Sequence, residues 1–159
     1  MLLVPSGSGP AFRTKSLQTV RKVTLFARYA LHVQQFACAR LNFGYFYPDS
    51  RLNAYDEGDV PGYTMYDYTP STAPGCRTPH FWLSEGRSLY DAMGSDFTLL
   101  RFDPAINVTA LVAAAARSSV PLTVLDVDAD AIPEAYRHKL VLSRPDRHVA
   151  WRGNAVPEG

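Results

Sequence analysis

The sequence predicts an α/β protein built on a small mixed sheet, and three stretches lead to that reading. Residues 97–102, FTLLRF, are mostly apolar with weak alternation, as expected of a strand covered on both faces. An alanine-rich stretch follows, then a second apolar run, LTVLDVD, at 122–128. Strand, helix and strand of these lengths predict a right-handed crossover with parallel strands. Finally, residues 139–143 and 148–151 are short strand-like segments joined by Arg144-Pro145-Asp146-Arg147. Pro and Asp in such a link set up a tight turn, so the sheet should close with an antiparallel hairpin.

Bulk properties exclude several function classes. A chain of 159 residues can bury a core without disulfide or metal support. Its formal net charge of +1 gives no indication of nucleic acid or an acidic polymer as partner. Cys38 and Cys76 are far apart and form neither a CxxC pair nor a metal knuckle, which fits a reduced, cytoplasmic compartment. No apolar run approaches the roughly 20 residues needed to span a bilayer.

The balanced charge hides an asymmetry along the chain. Arg13, Lys15, Arg21, Lys22, Arg28 and Arg40 all precede the first acidic residue, Asp49. Residues 1–10, with SGSGP, read as a flexible leader. From Ser16 to Leu41 there is neither Gly nor Pro, which permits a long helix. On a helical wheel Val20, Val23, Phe26, Ala27, Ala30, Leu31, Val33, Ala37 and Leu41 share a face, with Arg21, Arg28, His32 and Gln35 opposite. This amphipathic helix has three readings: packing on its own domain or a sister copy, a membrane-surface or partner helix, or an organelle transit segment. The expected division is a basic leader and helix over 1–42 and an α/β domain over 43–159.

Residues 42–72 are loop-like and rich in tyrosine: Tyr45, Tyr47, Tyr55, Tyr63, Tyr66 and Tyr68. GYFYPDSRL predicts a short strand ended by Pro48, and DEGDVPG a surface turn. Tyrosines at this density can stack a ligand, but more often pin an irregular loop through rings and hydroxyls. Pro74 and Pro79 then bracket a rigid extended turn, since each fixes its own φ and restricts its predecessor. His80-Phe81-Trp82-Leu83 should enter the sheet, and a short helix over 89–93 should stop at Gly94. After the 97–102 strand, Asp103-Pro104 reads as the N-cap and first residue of a helix running to about Ser118. Asp126, Asp128 and Asp130 alternate as in a calcium loop, but the Gly and distal Glu of such a loop are missing; a strand end dissolving into a polar loop is the better account.

Three segments carry a resemblance to a known family: Pro74–Leu83 (PGCRTPHFWL), Gly86–Asp91 with FTLL following (GRSLYD…FTLL), and 139–153 (KLVLSRPDRHVAWRG). In order and spacing from about residue 43 to 153 they resemble the C-terminal domain of flavin-dependent aromatic-ring hydroxylases, the phenol-hydroxylase-like flavoprotein monooxygenases. Residues 1–42 are not part of that pattern. The resemblance implies a thioredoxin-like fold: a mixed sheet with a C-terminal β-hairpin, here lacking CxxC and the final helix and preceded by the amphipathic helix. It further implies a parent enzyme that uses FAD and NAD(P)H to insert an oxygen atom from O₂ into a phenolic ring.

Flavin binding in that family depends on a glycine-rich βαβ and a later Gly-Asp segment; no G-x-G-x-x-G follows a strand here. No catalytic, cofactor-binding or metal residue is therefore carried over. The motif residues Arg77, His80, Trp82, Arg87, Asp91 and Trp151 are candidate structural or interface side chains. The leading reading is an accessory, dimerisation or structural domain whose partner is a second copy or a flavin-binding domain. Two alternatives stand beside it. One is a small redox enzyme using Cys76, whose thiol lies beside Arg77 with His80 four residues on. The other is a free-standing partner-binding module.

Overall fold

The computed structural model describes residues 44–58, 60–62 and 68–157. All belong to one of the chain's two compact units, Ala39–Gly159. The amphipathic helix expected over 16–41, Cys38, Tyr63 and Tyr66 lie outside the described residues.

Four strands form one sheet: β1 (Phe97–Arg101), β2 (Leu122–Asp126), β3 (Leu140–Ser143) and β4 (Val149–Gly153), in the spatial order β2-β1-β3-β4. β1 and β2 are parallel, with Phe97 opposite Leu122 and Arg101 opposite Asp126. β3 runs antiparallel to β1 and to β4. The α/β class, the parallel crossover and the closing hairpin are thus as the sequence predicts. β1 is central, and its Thr98, Leu99 and Leu100 are fully buried. Leu100 and Val141 face a cluster with Phe81, Leu89, Met93, Tyr136 and Val149. Leu99 and Leu140 face a second cluster with Val108, completed by Leu111, Val112 and Trp151. A strand buried on both faces has little room for polar–apolar alternation, which is why FTLLR reads as mostly apolar, with the hydroxyl of buried Thr98 bonded to Met93 O at 2.6 Å.

Two helices flank β1. Helix α1 (Leu89–Ala92) buries Leu89 and ends at Met93, whose N–H donates to Leu89 O at 3.0 Å. Gly94, at φ +67°, then turns the chain as expected. Helix α2 (Thr109–Arg117) starts later than Asp103-Pro104 suggested. Local side chains divert the backbone there. Asp103 Oδ1 accepts from Ala105 N at 3.0 Å, and Ile106 N donates to Asp103 O at 3.1 Å, closing a turn. Arg101 Nη1 then takes the Ile106 carbonyl at 3.1 Å, removing it from any helical ladder. Asn107 Oδ1 receives Thr109 N at 2.9 Å, so the helix begins after Asn107.

Two further expectations are corrected. His80–Leu83 does not join the sheet: Leu83 N bonds Arg87 O at 2.9 Å, Leu89 N bonds Phe81 O at 3.2 Å, and Trp82 forms an isolated bridge with Ser88. The segment pairs with the chain a few residues on, around a 3-10 turn at Ser84–Gly86, and these backbone groups are not free for a sheet neighbour. Residues 44–47 likewise form no strand; Tyr47 N donates to Gly75 O, and a turn follows at 48–49.

The extended segment between Pro74 and Pro79 lies along the start of β4. Gly75 N bonds Val149 O at 2.7 Å, Val149 N bonds Cys76 O at 2.8 Å, and Thr78 N bonds Arg147 O at 2.8 Å. The Tyr-containing loop is tied on in turn: Ala54 N donates to Ala150 O, and Tyr55 Oη donates to Tyr47 O at 2.9 Å. No helix among the described residues is long and apolar enough to cross a membrane, and none of them forms a helix after β4.

Candidate functional site

Pairing of residues 75–78 with β4, together with the start of α1 at Leu89, brings two sequence segments into one cleft. Tyr90 is its floor. The Tyr90 hydroxyl donates to Thr78 O at 2.6 Å, which fixes the ring. The Arg77 guanidinium carbon lies 5.5 Å from the ring centroid, and Arg77 Nε donates to the hydroxyl at 3.4 Å. Arg147 approaches the same residue, its Nη2 donating to Tyr90 O at 3.2 Å and its guanidinium carbon 6.0 Å from the ring. Among the described residues Arg147 Nη1 is buried without a hydrogen-bond partner. His80 packs edge-on against Tyr90 and against Trp82, with centroids 5.1 Å away in each case. Its Nε2 is 3.0 Å from Ser88 Oγ.

The cleft holds about 380 Å³, bounded by Arg77, His80, Tyr68 and Tyr90 and by the rings of Pro70, Pro79 and Pro133. Its walls are rigid for a local reason. Thr78 Oγ1 and Ser143 Oγ bond at 2.8 Å, both fully buried. Tyr136 donates its hydroxyl to Pro79 O while its ring packs on Phe81 and Phe102. Burial pushes the Tyr68 phenol above its ordinary range, against the opposing charge of Arg77, and pushes Tyr136 up further still. Both phenols are therefore neutral donors at physiological pH.

A second cavity of about 430 Å³ is bounded by Arg137, His138, Arg152, Thr69 and Ser71 among others. Arg152 is already matched there: Nε reaches Asp56 Oδ2 at 2.6 Å and Nη2 reaches Oδ1 at 3.0 Å. That fork holds the Asp56 carboxyl below its usual range. Burial lowers the pKa of His138, helped by the Arg152 charge, and its Nδ1 is buried without a partner among the described residues. At the C-terminal end of β1, Asp103 accepts from Lys139 Nζ at 2.9 Å as well as from Ala105, so this βα turn presents a carboxylate.

Of the side chains singled out from the sequence, the fold gathers Arg77 and His80 at the cleft with Trp82 at its margin, 62% exposed. Arg87 and Asp91 are exposed beside it. Trp151 lies elsewhere, packed with the α2 side chains Leu111 and Val112. Cys76 is buried, 8% exposed, its backbone zipped to Val149, an environment unlike the accessible, electropositive one of a reactive thiolate. Sequence reasoning missed the roles of Tyr90, Tyr136 and Arg147 because the backbone partner of each lies 12 or 57 positions away.

These features sit within a recognisable pattern. A model of the family described as aromatic-ring hydroxylase, C-terminal, matches residues 71–159. The FAD-dependent monooxygenase opdD of Penicillium oxalicum is 32% identical over 102 residues, covering 60% of this chain and 20% of that protein. The FAD-dependent monooxygenase apdD of Emericella nidulans is 35% identical over 101 residues, covering 60% and 16%. Among solved structures, the rebeccamycin biosynthetic enzyme RebC with reduced flavin superposes with a TM-score of 0.71 at 31% identity, covering 95% of this chain and 27% of that one. The flavin-dependent monooxygenase PieE in complex with FAD and substrate gives a TM-score of 0.70 at 30% identity, covering 85% and 26%. This chain spans a fifth or less of the two curated relatives' length and about a quarter of these two structures. With the family pattern extending over more than half of its residues, the chain belongs to the aromatic-ring hydroxylase C-terminal family.

Proposed function

We propose that this chain is the supporting C-terminal domain of an FAD-dependent, NAD(P)H-using aromatic-ring monooxygenase, contributing contacts to a flavin-binding domain or a second copy and no catalysis of its own. The observation that carries this reading is how the family-like segments spend their polar groups. Tyr90, Tyr136, Thr78 and Ser143 hydrogen-bond backbone or one another, holding residues 75–80 in place. They build a rigid surface, and they leave Trp82 projecting from it.

The described residues do not fit the pyrophosphate of a flavin dinucleotide at the β1–α2 turn. A dinucleotide site needs free backbone N–H groups at the helix start and close approach through glycine. Here Asp103 places a carboxylate in the turn, Pro104 lacks an N–H, and the Thr109 N–H is taken by Asn107. This turn supports the reading in which the flavin of a parent enzyme is held by residues outside this domain.

The test is direct. The purified chain should be colourless in the visible region and should co-elute on gel filtration with the flavin-binding portion of a monooxygenase from the same source. Trp82→Ala should weaken that association while leaving the circular dichroism spectrum intact. Stoichiometric bound isoalloxazine on the isolated chain would refute the reading.

A further inference from the structure

The two edges of the sheet are finished differently. On the β4 side the backbone is already covered: Gly75 N donates to Val149 O, Val149 N to Cys76 O, and Ala54 N to Ala150 O. The opposite edge is β2, the terminal strand of the order β2-β1-β3-β4. Val127 N donates to Arg101 O at 2.9 Å, and backbone groups alternate sides along a strand, so those of Thr123 and Leu125 also face β1. The N–H and C=O groups of Leu122, Val124 and Asp126 therefore point away from the sheet, and among the described residues none of them has a hydrogen-bond partner. Soluble proteins ordinarily blunt such an edge with lysine, proline or a bulge. β2 has none of these between Leu122 and Asp126, and its register with β1 is unbroken. Its apolar side chains are also incompletely covered. Leu122 and Val124 on one face and Leu125 on the other are half-buried, whereas Leu99 and Leu100 of β1 beside them are fully buried.

We propose that this edge pairs antiparallel with the same edge of a second copy of the chain, about a two-fold axis passing between the two Val124 residues. The inference rests on the supporting role proposed above and divides its contacts, giving β2 to the second copy and leaving Trp82 to a flavin-binding domain. The edge is complementary to itself. In this register Val124 meets its own counterpart and Leu122 meets Asp126, so every outward-facing backbone group gains a bond. The Asp126 carboxylate, already held by Arg101, then lies opposite Leu122 and not another acid. The charges at the two ends of the strand are opposite as well. Exposed Arg117, at the end of α2, precedes β2, and exposed Asp128 and Asp130 follow it. Among the described residues none of these side chains has an ion pair. Antiparallel pairing brings the basic end of each copy beside the acidic end of the other, twice by symmetry, whereas parallel pairing sets like ends together.

Sedimentation equilibrium of the full chain should show a concentration-dependent equilibrium between monomer and dimer. Val124→Pro removes an outward N–H and spares the ladder with β1, the placement that proline tolerates on an edge strand. It should weaken the dimer about tenfold or more, since two hydrogen bonds are lost by symmetry. Arg117→Asp and Asp128→Arg should each weaken it about fivefold, and the two together should restore it. That rescue cannot come from a folding defect, so the charge reversals serve if Val124→Pro does not fold. A chain that stays monomeric at every concentration, a dimer indifferent to Val124→Pro, or a double reversal that restores nothing overturns the proposal. Loss of co-elution with the flavin-binding portion in Val124→Pro overturns it too, by assigning the edge to that domain. The supporting role is tested separately, by Trp82→Ala.

Discussion

Gly75 shows how much a single position can hold in this fold. Its φ is +93°, and a β-carbon there would stand 2.5 Å from Tyr47 O. The tight approach is what lets Tyr47 N reach Gly75 O at 3.0 Å, tying the Tyr-containing loop to the 75–78 segment. Gly94, at φ +67°, faces open space instead. Gly94→Ala should therefore cost only the conformational penalty of about 1–2 kcal/mol. Gly75→Ala adds a backbone collision and should cost more, with earlier tryptic cleavage at the exposed Arg51 as the readout. Tyr136→Phe tests the other pin of the segment. It keeps the packing on Phe81 and Phe102 but strips the Pro79 carbonyl of its donor. A buried acceptor left unpaired costs about 1–3 kcal/mol, measurable as a lower urea midpoint at unchanged slope. None of these roles is legible beside the residue itself. The sequence marks 74–79 as rigid through its prolines, but Tyr136 is a single tyrosine in a polar stretch whose partner is 57 residues away.

Secondary-structure elements divide by how local their determinants are. α1, β1, β2 and the hairpin follow from short-range pattern: an apolar run, a stop at Gly94, a Pro-Asp turn. β1 is the element on which both clusters meet, so its side chains are the most expensive to truncate. Leu99→Ala should destabilise by about 2–5 kcal/mol, whereas Val112→Ala on the half-buried face of α2 should cost clearly less, both by chemical denaturation. The elements that the pattern misplaces are those decided by competing hydrogen bonds. Asp103-Pro104 has the right residues for a helix start, yet Arg101, anchored by Asp126 across the parallel pair, captures the Ile106 carbonyl and delays the helix to Thr109. His80–Leu83 has the right residues for a strand, yet Arg87 and Leu89 reach its backbone first. Neither outcome can be read from a window of neighbouring residues.

At the level of the whole molecule, three carboxylates and one histidine couple the fold to acid. Hydrogen bonds from Arg152, Arg101 and Lys139 hold Asp56, Asp126 and Asp103 below the ordinary value of 3.8. Each lowered carboxylate contributes stability that is present above about pH 3.8 and is lost as pH falls through its folded value. Burial lowers His138 below 6.5, so the unfolded chain takes up that proton first and stability begins to fall as pH drops through 6.5. The thermal midpoint should thus decline in two stages on acidification, and His138→Gln should remove the earlier one while leaving the later one. A single decline confined to the carboxylate range in the unsubstituted chain would contradict this assignment.

What the sequence determined by itself was class, the order of elements from α1 to the closing hairpin, and family, because these rest on local periodicity, turn chemistry and runs of motif residues in series. Only the tertiary structure decided which of those motif residues share a site. Arg77, His80 and Tyr90 meet because β4 holds residues 75–78 extended while α1 folds back over them, and Trp151, equally prominent in the motif, is sent to the other face of the sheet. The physical reason is that strand pairing and tyrosine hydroxyls act between positions far apart in the chain, where no local pattern registers them.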